Sequence, residues 1–176
     1  MSVLITGGLG YVGSHTAIAL LRKGYDILIV DNLQNSSLRV LHALRELAGK
    51  NIHFVNADLT DPTETNRVFS ENWISAVLHF AGNTNQVEAK RVPLMYYETN
   101  MRSTINILEA MRVHDVKTFV FSSSAMVYKT LPPGELADEN GELDPSDPYP
   151  GVKAQVERMC IDYTKADSTW RMAMLR

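Results

Sequence analysis

Tyr149 and Lys153 stand four residues apart in a stretch with helical spacing, which puts their side chains on one helix face. An ammonium near a phenol favours the phenolate and lowers the tyrosine pKa, so the ring oxygen can accept a proton. A hydroxyl on a neighbouring strand end would complete the set, and Ser124, last of Ser122-Ser123-Ser124, is placed to supply it. Such a group suits the oxidation of an alcohol: Tyr149 as base, Lys153 as electrostatic support and ribose anchor, and Ser124 holding the substrate oxygen. A Tyr-x-x-x-Lys pair by itself is common and mostly inert. It gains meaning only beside a hydride acceptor.

The start of the chain offers a site for one. The apolar run Val3-Leu4-Ile5-Thr6 meets Gly7-Gly8-Leu9-Gly10-Tyr11-Val12-Gly13, and a helical pattern follows. Glycines at a strand end let the backbone approach a pyrophosphate, and a helix starting there aims free N–H groups and its positive dipole end at the phosphates. The turn reads as G-x-G-x-x-G from Gly8 or as G-x-x-G-x-x-G from Gly7. A second apolar run, Ile27-Leu28-Ile29-Val30, ends in Asp31, eighteen residues past Gly13, where an acid would bond a ribose 2′-hydroxyl. Gly7, Gly10, Gly13 and Asp31 are therefore candidate cofactor residues.

The elements that must position these groups can be read from periodicity. Helices are expected over about Tyr11–Lys23, Leu38–Ala48, Pro62–Asn72, Leu94–Val113 and Asp147–Lys165, with Gly24 stopping the first. Asn35 and Ser36 are the expected caps of the second helix, and Asp61-Pro62 starts the third. Strands are expected at Val3–Thr6, Ile27–Asp31, Ile52–Val55, Ala76–Phe80, Thr118–Phe121 and Arg171–Leu175. The stretch from Thr130 to Pro148, acidic and rich in proline, reads as a long loop acting as a lid. Alternating strands and helices predict an α/β fold, a Rossmann-like, doubly wound parallel sheet of about six strands ordered 3-2-1-4-5-6. Ligands then bind at the strands' carboxyl ends, which gathers Gly10, Asp31, Asp58, Ala81 and Ser124 on one rim.

Composition narrows the class of partner. With 176 residues and 45% hydrophobic content, residues 1–176 suffice for one domain with a core of its own. A net charge of −3 without a basic block argues against nucleic-acid or anionic-membrane binding and for a small molecule. The single cysteine, Cys160, excludes an intramolecular disulfide. The five histidines are scattered without carboxylate partners, so no metal site is expected, and His79 reads as a packing residue. Tyr96 and Tyr97 read as packing at a helix start. The first strand follows the N-terminus directly, with no leader pattern and no long apolar span, and a cytoplasmic protein is expected.

These residues together resemble the extended short-chain dehydrogenase/reductases, and among them the branch that inverts the sugar 4-hydroxyl of nucleotide sugars. The resemblance rests on Thr6-Gly7-Gly8-Leu9-Gly10-Tyr11-Val12-Gly13-Ser14-His15, Asp31-Asn32-Leu33, Asp58-Leu59, His79-Phe80-Ala81-Gly82, Ser122-Ser123-Ser124-Ala125 with Val127-Tyr128, and Pro148-Tyr149 with Lys153. It implies that Tyr11, Val12, Asp31, Asn32, Asn35, Ser36, Asp58, Leu59, Phe80, Ala81 and Gly82 contact NAD, with Ser122, Tyr149 and Lys153 completing the cofactor site. It implies catalytic roles for Ser124, Tyr149 and Lys153, a nucleotide sugar such as UDP-glucose or UDP-galactose as partner, and a homodimer through the two helices at about Leu94–Val113 and Asp147–Lys165. Related 4,6-dehydratases carry an Asp-Glu pair after the serine or threonine; Ala125-Met126 stands here, and neither residue can move a proton.

The sequence also departs from that pattern. Thr84 replaces a lysine, Thr99 an asparagine and Met126 a threonine facing the sugar, and the loop from Asn83 to Val92 matches poorly as a whole. Pro150, Gly151 and Val152 stand between Tyr149 and Lys153. Proline disfavours helical backbone at Tyr149, yet with Asp147 as cap and Pro148 first in the helix, no intrahelical bond is lost at Pro150. The family's C-terminal substrate domain, which grips the diphosphate, has no counterpart after Arg176, so the expectation is a truncated NAD-binding domain. A non-catalytic NAD-binding module and a different NAD-dependent sugar-nucleotide oxidoreductase remain as alternatives.

Overall fold

The structure, a computed structural model, describes all 176 residues. Six parallel strands are laid out in the order β3-β2-β1-β4-β5-β6. They are β1 (Ser2–Thr6), β2 (Ile27–Asp31), β3 (His53–Asn56), β4 (Ile74–His79), β5 (Thr118–Ser122) and β6 (Arg171–Leu175). The helices are α1 (Tyr11–Arg22), α2 (Leu38–Ala48), α3 (Pro62–Ser70), α4 (Gln86–Arg91), α5 (Pro93–Val113) and α6 (Pro148–Ala166). The predicted strand order is the observed one.

Side chains alternate along each central strand, so each strand feeds two cores. Ile5, Ile27 and Ile29 point to a cluster with Ala17, Leu41 and Leu44 of α1 and α2. Leu4, Leu28 and Val30 point to the other face, where Val68, Ile107, Met111, Val156 and Cys160 pack from α3, α5 and α6. All five residues of β2 are buried, as a strand covered on both faces requires. β1 carries the middle of the sheet, pairing Val3 with Ile27 on one side and Leu4 with Val77 on the other. Its carboxyl end is thus flanked by those of β2 and β4.

Two local expectations are revised and a third is refined. Ser37, not Asn35 or Ser36, caps α2, accepting from the Arg39 N–H at 3.3 Å, because Ser36 is turned towards Asp31 instead. The 83–92 segment contains a helix, α4, whose first N–H groups at Val87 and Glu88 are taken by the Asn85 side chain at 3.1 Å. The 130–147 stretch lacks helix and strand but is tied at its ends: Tyr128 bridges Leu143, and the Lys129 N–H donates to Glu142 O at 2.8 Å. Elsewhere the local signals hold. Asp61 caps α3 through Thr63 and Glu64, and Gly24 follows α1 with φ of +84°. Pro150 sits in the first turn of α6, whose first backbone bond runs from Gly151 N–H to Asp147 O at 2.9 Å.

Candidate active site

The glycine turn works by contact. Gly7 has φ of +62°, and a Cβ there would lie 2.7 Å from the Ala81 nitrogen, so no larger residue fits between β1 and the β4 exit. A Cβ on Gly13 would stand 2.3 Å from Gly7 O, so this glycine lets α1 rest on the turn. Gly10 begins α1 with no side-chain cap, and the first turn holds no acidic residue. The first-turn N–H groups of Tyr11, Val12 and Gly13 lack partners within the helix, and such a helix start favours an anion. The Tyr11 and Val12 side chains are 82% and 52% exposed, so what these residues present to the turn is backbone.

Asp31 closes the next side. It is 8% exposed, and its carboxylate accepts from Leu9 N–H at 3.1 Å, Leu33 N–H at 3.0 Å and Ser36 Oγ at 2.7 Å. The acid therefore also braces the glycine turn from β2, a role that spacing alone does not reveal. A cleft opens between these parts. Its lining takes in Gly7, Gly10, Asp31, Asn32, Asn35, Ser36, Asp58, Leu59, Phe80, Ala81 and Gly82 from the sequence-based set, together with Gln34, Asn83, Thr60, Thr99 and Ser103. Asn35 Nδ2 reaches Asn83 Oδ1 across it at 3.4 Å. Asp58 turns the chain by accepting from Thr60 N–H and Oγ1 at 2.9 and 2.8 Å, and Leu59 O is held by Asn106 of α5 at 2.9 Å.

Beneath the cleft lies a buried polar chain. Ala81 N–H donates to Thr6 Oγ1 at 3.3 Å, Thr6 Oγ1 meets His79 Nδ1 at 2.7 Å, and His79 Nε2 meets Thr104 Oγ1 at 3.0 Å. Thr104 in turn donates to Asn100 O at 2.8 Å. These directions assign His79 the neutral Nε2–H tautomer. Burial, helped by the Lys153 charge, lowers its pKa to about 3, which agrees. His79 thus packs as expected and also latches β1, β4 and α5 together. Asn100 extends the latch: its side chain accepts from Asn83 N–H at 2.7 Å and donates to Asn83 O at 3.0 Å. A Cβ on Gly82, where φ is +148°, would fall 2.9 Å from Asn100 Oδ1.

The Tyr149, Lys153 and Ser124 group lies outside the lining of this cleft, at the ends of α6 and β5. Lys153 is 5% exposed; its Nζ donates to Ser122 O at 2.7 Å and lies 4.7 Å from the Phe121 ring centre and 5.9 Å from that of Tyr149. Ser124 begins a short 3-10 turn (Ala125–Val127), its Oγ accepting from Met126 N–H at 3.2 Å. The expectation that Lys153 lowers the Tyr149 pKa is corrected. Burial holds the phenol above its ordinary value, opposed only by the Ser124 hydroxyl, while burial of the ammonium pulls Lys153 down to about 8. Burial of the phenol outweighs attraction from the Lys153 ammonium, which donates to Ser122 O and lies 5.9 Å from the Tyr149 ring centre.

Tyr96 is fully buried beside Tyr149 and donates to Glu88 of α4 at 2.7 Å; Lys90 of α4 pairs with Asp147, at the start of α6, at 3.0 Å. The poorly matching 83–92 segment therefore packs against Tyr149 through Ala89 and is tied to Tyr96 through Glu88. No helix is long and apolar enough to cross a membrane.

Comparison with known proteins bears on the family and the fold. The model of the NAD dependent epimerase/dehydratase family matches residues 3–176. UDP-glucose 4-epimerase of Bacillus subtilis is 43% identical over 176 residues, all of this chain and 52% of the relative. UDP-glucose 4-epimerase uge1 of Schizosaccharomyces pombe is 44% identical, over 99% of this chain and 50% of its own length. Among solved structures, UDP-glucose 4-epimerase from Bifidobacterium longum, in complex with NAD+ and UDP, superposes with a TM-score of 0.95 at 40% identity, covering all of this chain and 52% of that one. The enzyme from Stenotrophomonas maltophila, with bound NAD and formylated UDP-arabinopyranose, gives 0.94 at 36% identity and the same coverage. The chain spans about half the length of the curated relatives it matches. Its strand order, its glycine turn and these matches agree, and the chain belongs to the NAD dependent epimerase/dehydratase family.

Proposed function

We infer that this chain is the NAD-binding part of a UDP-glucose 4-epimerase-type enzyme, in which Tyr149, Lys153 and Ser124 serve the sugar 4-hydroxyl. One observation carries the reading: an uncapped helix start, a glycine turn that admits no side chain, and a buried carboxylate converge on one cleft. Those features fit a dinucleotide, with the pyrophosphate on the α1 N–H groups and the adenosine ribose on Asp31. The Asp58-Leu59 turn would flank the base. Asp31 also repels a 2′-phosphate, and no arginine directly follows it, so NAD is favoured over NADP.

When bound, NAD would supply a hydride acceptor that returns the hydride to the same carbon of the sugar. The chain's own residues handle the proton. Tyr149 would take it from the 4-hydroxyl, Ser124 would hold that oxygen, and Lys153, fixed on Ser122 O, would anchor the nicotinamide ribose. A charged ammonium held close to the phenol would favour the phenolate. Apolar Met126 beside Ser124 leaves no second acid or base for dehydration.

The test is direct: titrate the purified chain with NAD and NADP, then assay interconversion of UDP-glucose and UDP-galactose with the native chain and with Tyr149→Phe. NAD binding in the micromolar range, unchanged in Tyr149→Phe, is expected. Turnover is expected to be very low, because the reacting carbon must be held within about 3–3.5 Å of the acceptor and remote binding energy supports that step. Tighter binding of NADP, or robust turnover that survives Tyr149→Phe, would overturn the reading. A homodimer through α5 and α6 is part of this proposal, supported by Leu94, Ile105 and Val113 of α5 and Ile161 of α6, which remain exposed. Light scattering at tens of micromolar tests it.

A further inference from the structure

Glu157 is 2% exposed, and it sits on α6 one turn beyond Lys153 and two beyond Tyr149, on the same helix face. A carboxylate withdrawn from water needs partners, and this one has two. The Ser123 hydroxyl donates to Glu157 Oε1 in a short hydrogen bond. Arg176 meets it as a fork, Nε to Oε1 at 3.0 Å and Nη2 to Oε2 at 2.6 Å. The same guanidinium donates from Nη1 to the Tyr128 hydroxyl at 2.9 Å, and its carbon lies 4.9 Å from the Tyr128 ring centre.

These contacts bind the segment that carries the site. Ser123 stands between Ser122, whose carbonyl takes Lys153, and Ser124, and its own N–H donates to Leu175 O at 2.8 Å. None of Ser123, Glu157 and Arg176 lines the nucleotide cleft. The rest of the α6 underside is apolar, with Val152, Val156 and Cys160 buried, and apolar contact is non-directional. It would tolerate a small slide or rotation of the helix. A bidentate guanidinium–carboxylate pair fixes both distance and angle.

We propose that Ser123, Glu157 and Arg176 are positioning residues: their buried network sets α6 against the exit of β5 and so places Tyr149 and Lys153 relative to Ser122 and Ser124. The proposal rests on the reading of Tyr149 and Lys153 as the nicotinamide-side site. It separates position from stability, because an ion pair that only held the fold together could be exchanged for apolar side chains of similar volume with the site intact.

The experiment uses the whole chain with Glu157→Met and Arg176→Met combined, which removes one charge of each sign and strands neither. Two quantities are read in the folded double variant. The first is the preference for NAD over ADP-ribose by calorimetric titration; it should fall at least tenfold while ADP-ribose affinity stays unchanged. The second, independent of any ligand, is the pH of half-maximal acetylation of Lys153 by mass spectrometry; it should rise by a unit or more as the amine leaves its buried seat. Arg176→Lys, which keeps the charge but not the fork, should give intermediate values of both. An unchanged Lys153 midpoint overturns the proposal, as does a shifted midpoint with the NAD preference intact. Failure of the native chain to bind NAD would overturn the functional reading instead, leaving the acetylation arm to decide this one.

Discussion

The two halves of the sheet build their parts of the site from different materials. On the β1–β3 side, the glycine turn and the helix start present backbone, and one carboxylate, Asp31, braces them through neighbours on the chain and through Leu9. On the β4–β6 side, the site consists of long side chains whose positions depend on partners far away in sequence, such as Lys153 on Ser122 and Glu157 on Arg176. Backbone sites are rigid but admit no substitution. Side-chain sites can be tuned, and every brace is a place where they can loosen.

The sharpest way to break this comparison is to add one methyl group to the backbone site. Gly13→Ala would put its Cβ 2.3 Å from Gly7 O, so either α1 or the turn must shift. A loss of about 3 kcal/mol or more is expected, together with loss of NAD binding. Denaturant unfolding of a soluble, stable Gly13→Ala chain would show that the turn gives way as readily as the opposite side does.

The opposite side should respond to pH. His79 has its pKa lowered to about 3 against an ordinary 6.5, chiefly by burial, so the unfolded chain binds the extra proton first as pH falls. Stability is therefore intact above about 6.5 and is lost progressively as pH drops towards 3, by on the order of 5 kcal/mol in full. His79→Gln should flatten the slope between pH 6.5 and 5, where few ordinary carboxylates titrate. Lys153 acts with the same sign in a higher window: with its pKa pulled down to about 8 by burial, its contribution rises with pH from 8 to about 10.5. Lys153→Met should remove that rise in chemical-denaturation series.

Asp31→Ala sharpens the contrast within the backbone half. Three donors, two of them backbone N–H groups, would lose a charged acceptor. A cost of about 2 kcal/mol is expected, with NAD binding weakened at least tenfold and its preference over NADP gone. The smallest effect separates cap from cleft. Ser37→Ala should cost about 1 kcal/mol and leave NAD affinity alone, whereas Asn35→Ala should do the reverse, since Ser37 caps α2 and Asn35 lines the cleft.

How far each half could be read from the sequence follows from the same contrast. The glycine turn, Asp31 and the strand order are local or periodic features: a buried run such as Ile27–Asp31 announces a covered strand, and glycines after it announce a close approach. The Thr6–His79–Thr104 latch joins residues 73 and 25 positions apart, and no spacing rule points to it. Glu157 reads as one more polar position on a helix until the fold buries it. α4 has six residues, too few for periodicity to separate it from loop, and only Asn85 as a cap could have marked it. The Tyr149 pKa runs against the sequence expectation because sequence gives the identity of Lys153 but not how deeply the fold buries the phenol.

The placement of β1 at the centre of the sheet also has a kinetic side. Its bonds to β2 close once residue 30 is made, but its other edge waits for Ile74–His79. Until then an emerging chain carries a hydrophobic strand edge with no native partner, and closing it must bring together residues more than seventy positions apart, with the entropy that such a loop entails. Synthesis from the ribosome would therefore pass through a stage in which the glycine turn already exists in sequence but lacks the Ala81 backbone that shapes it. Nucleotide should add nothing to the stability of such a nascent segment, and pausing translation between residues 40 and 70 should leave it dependent on chaperones.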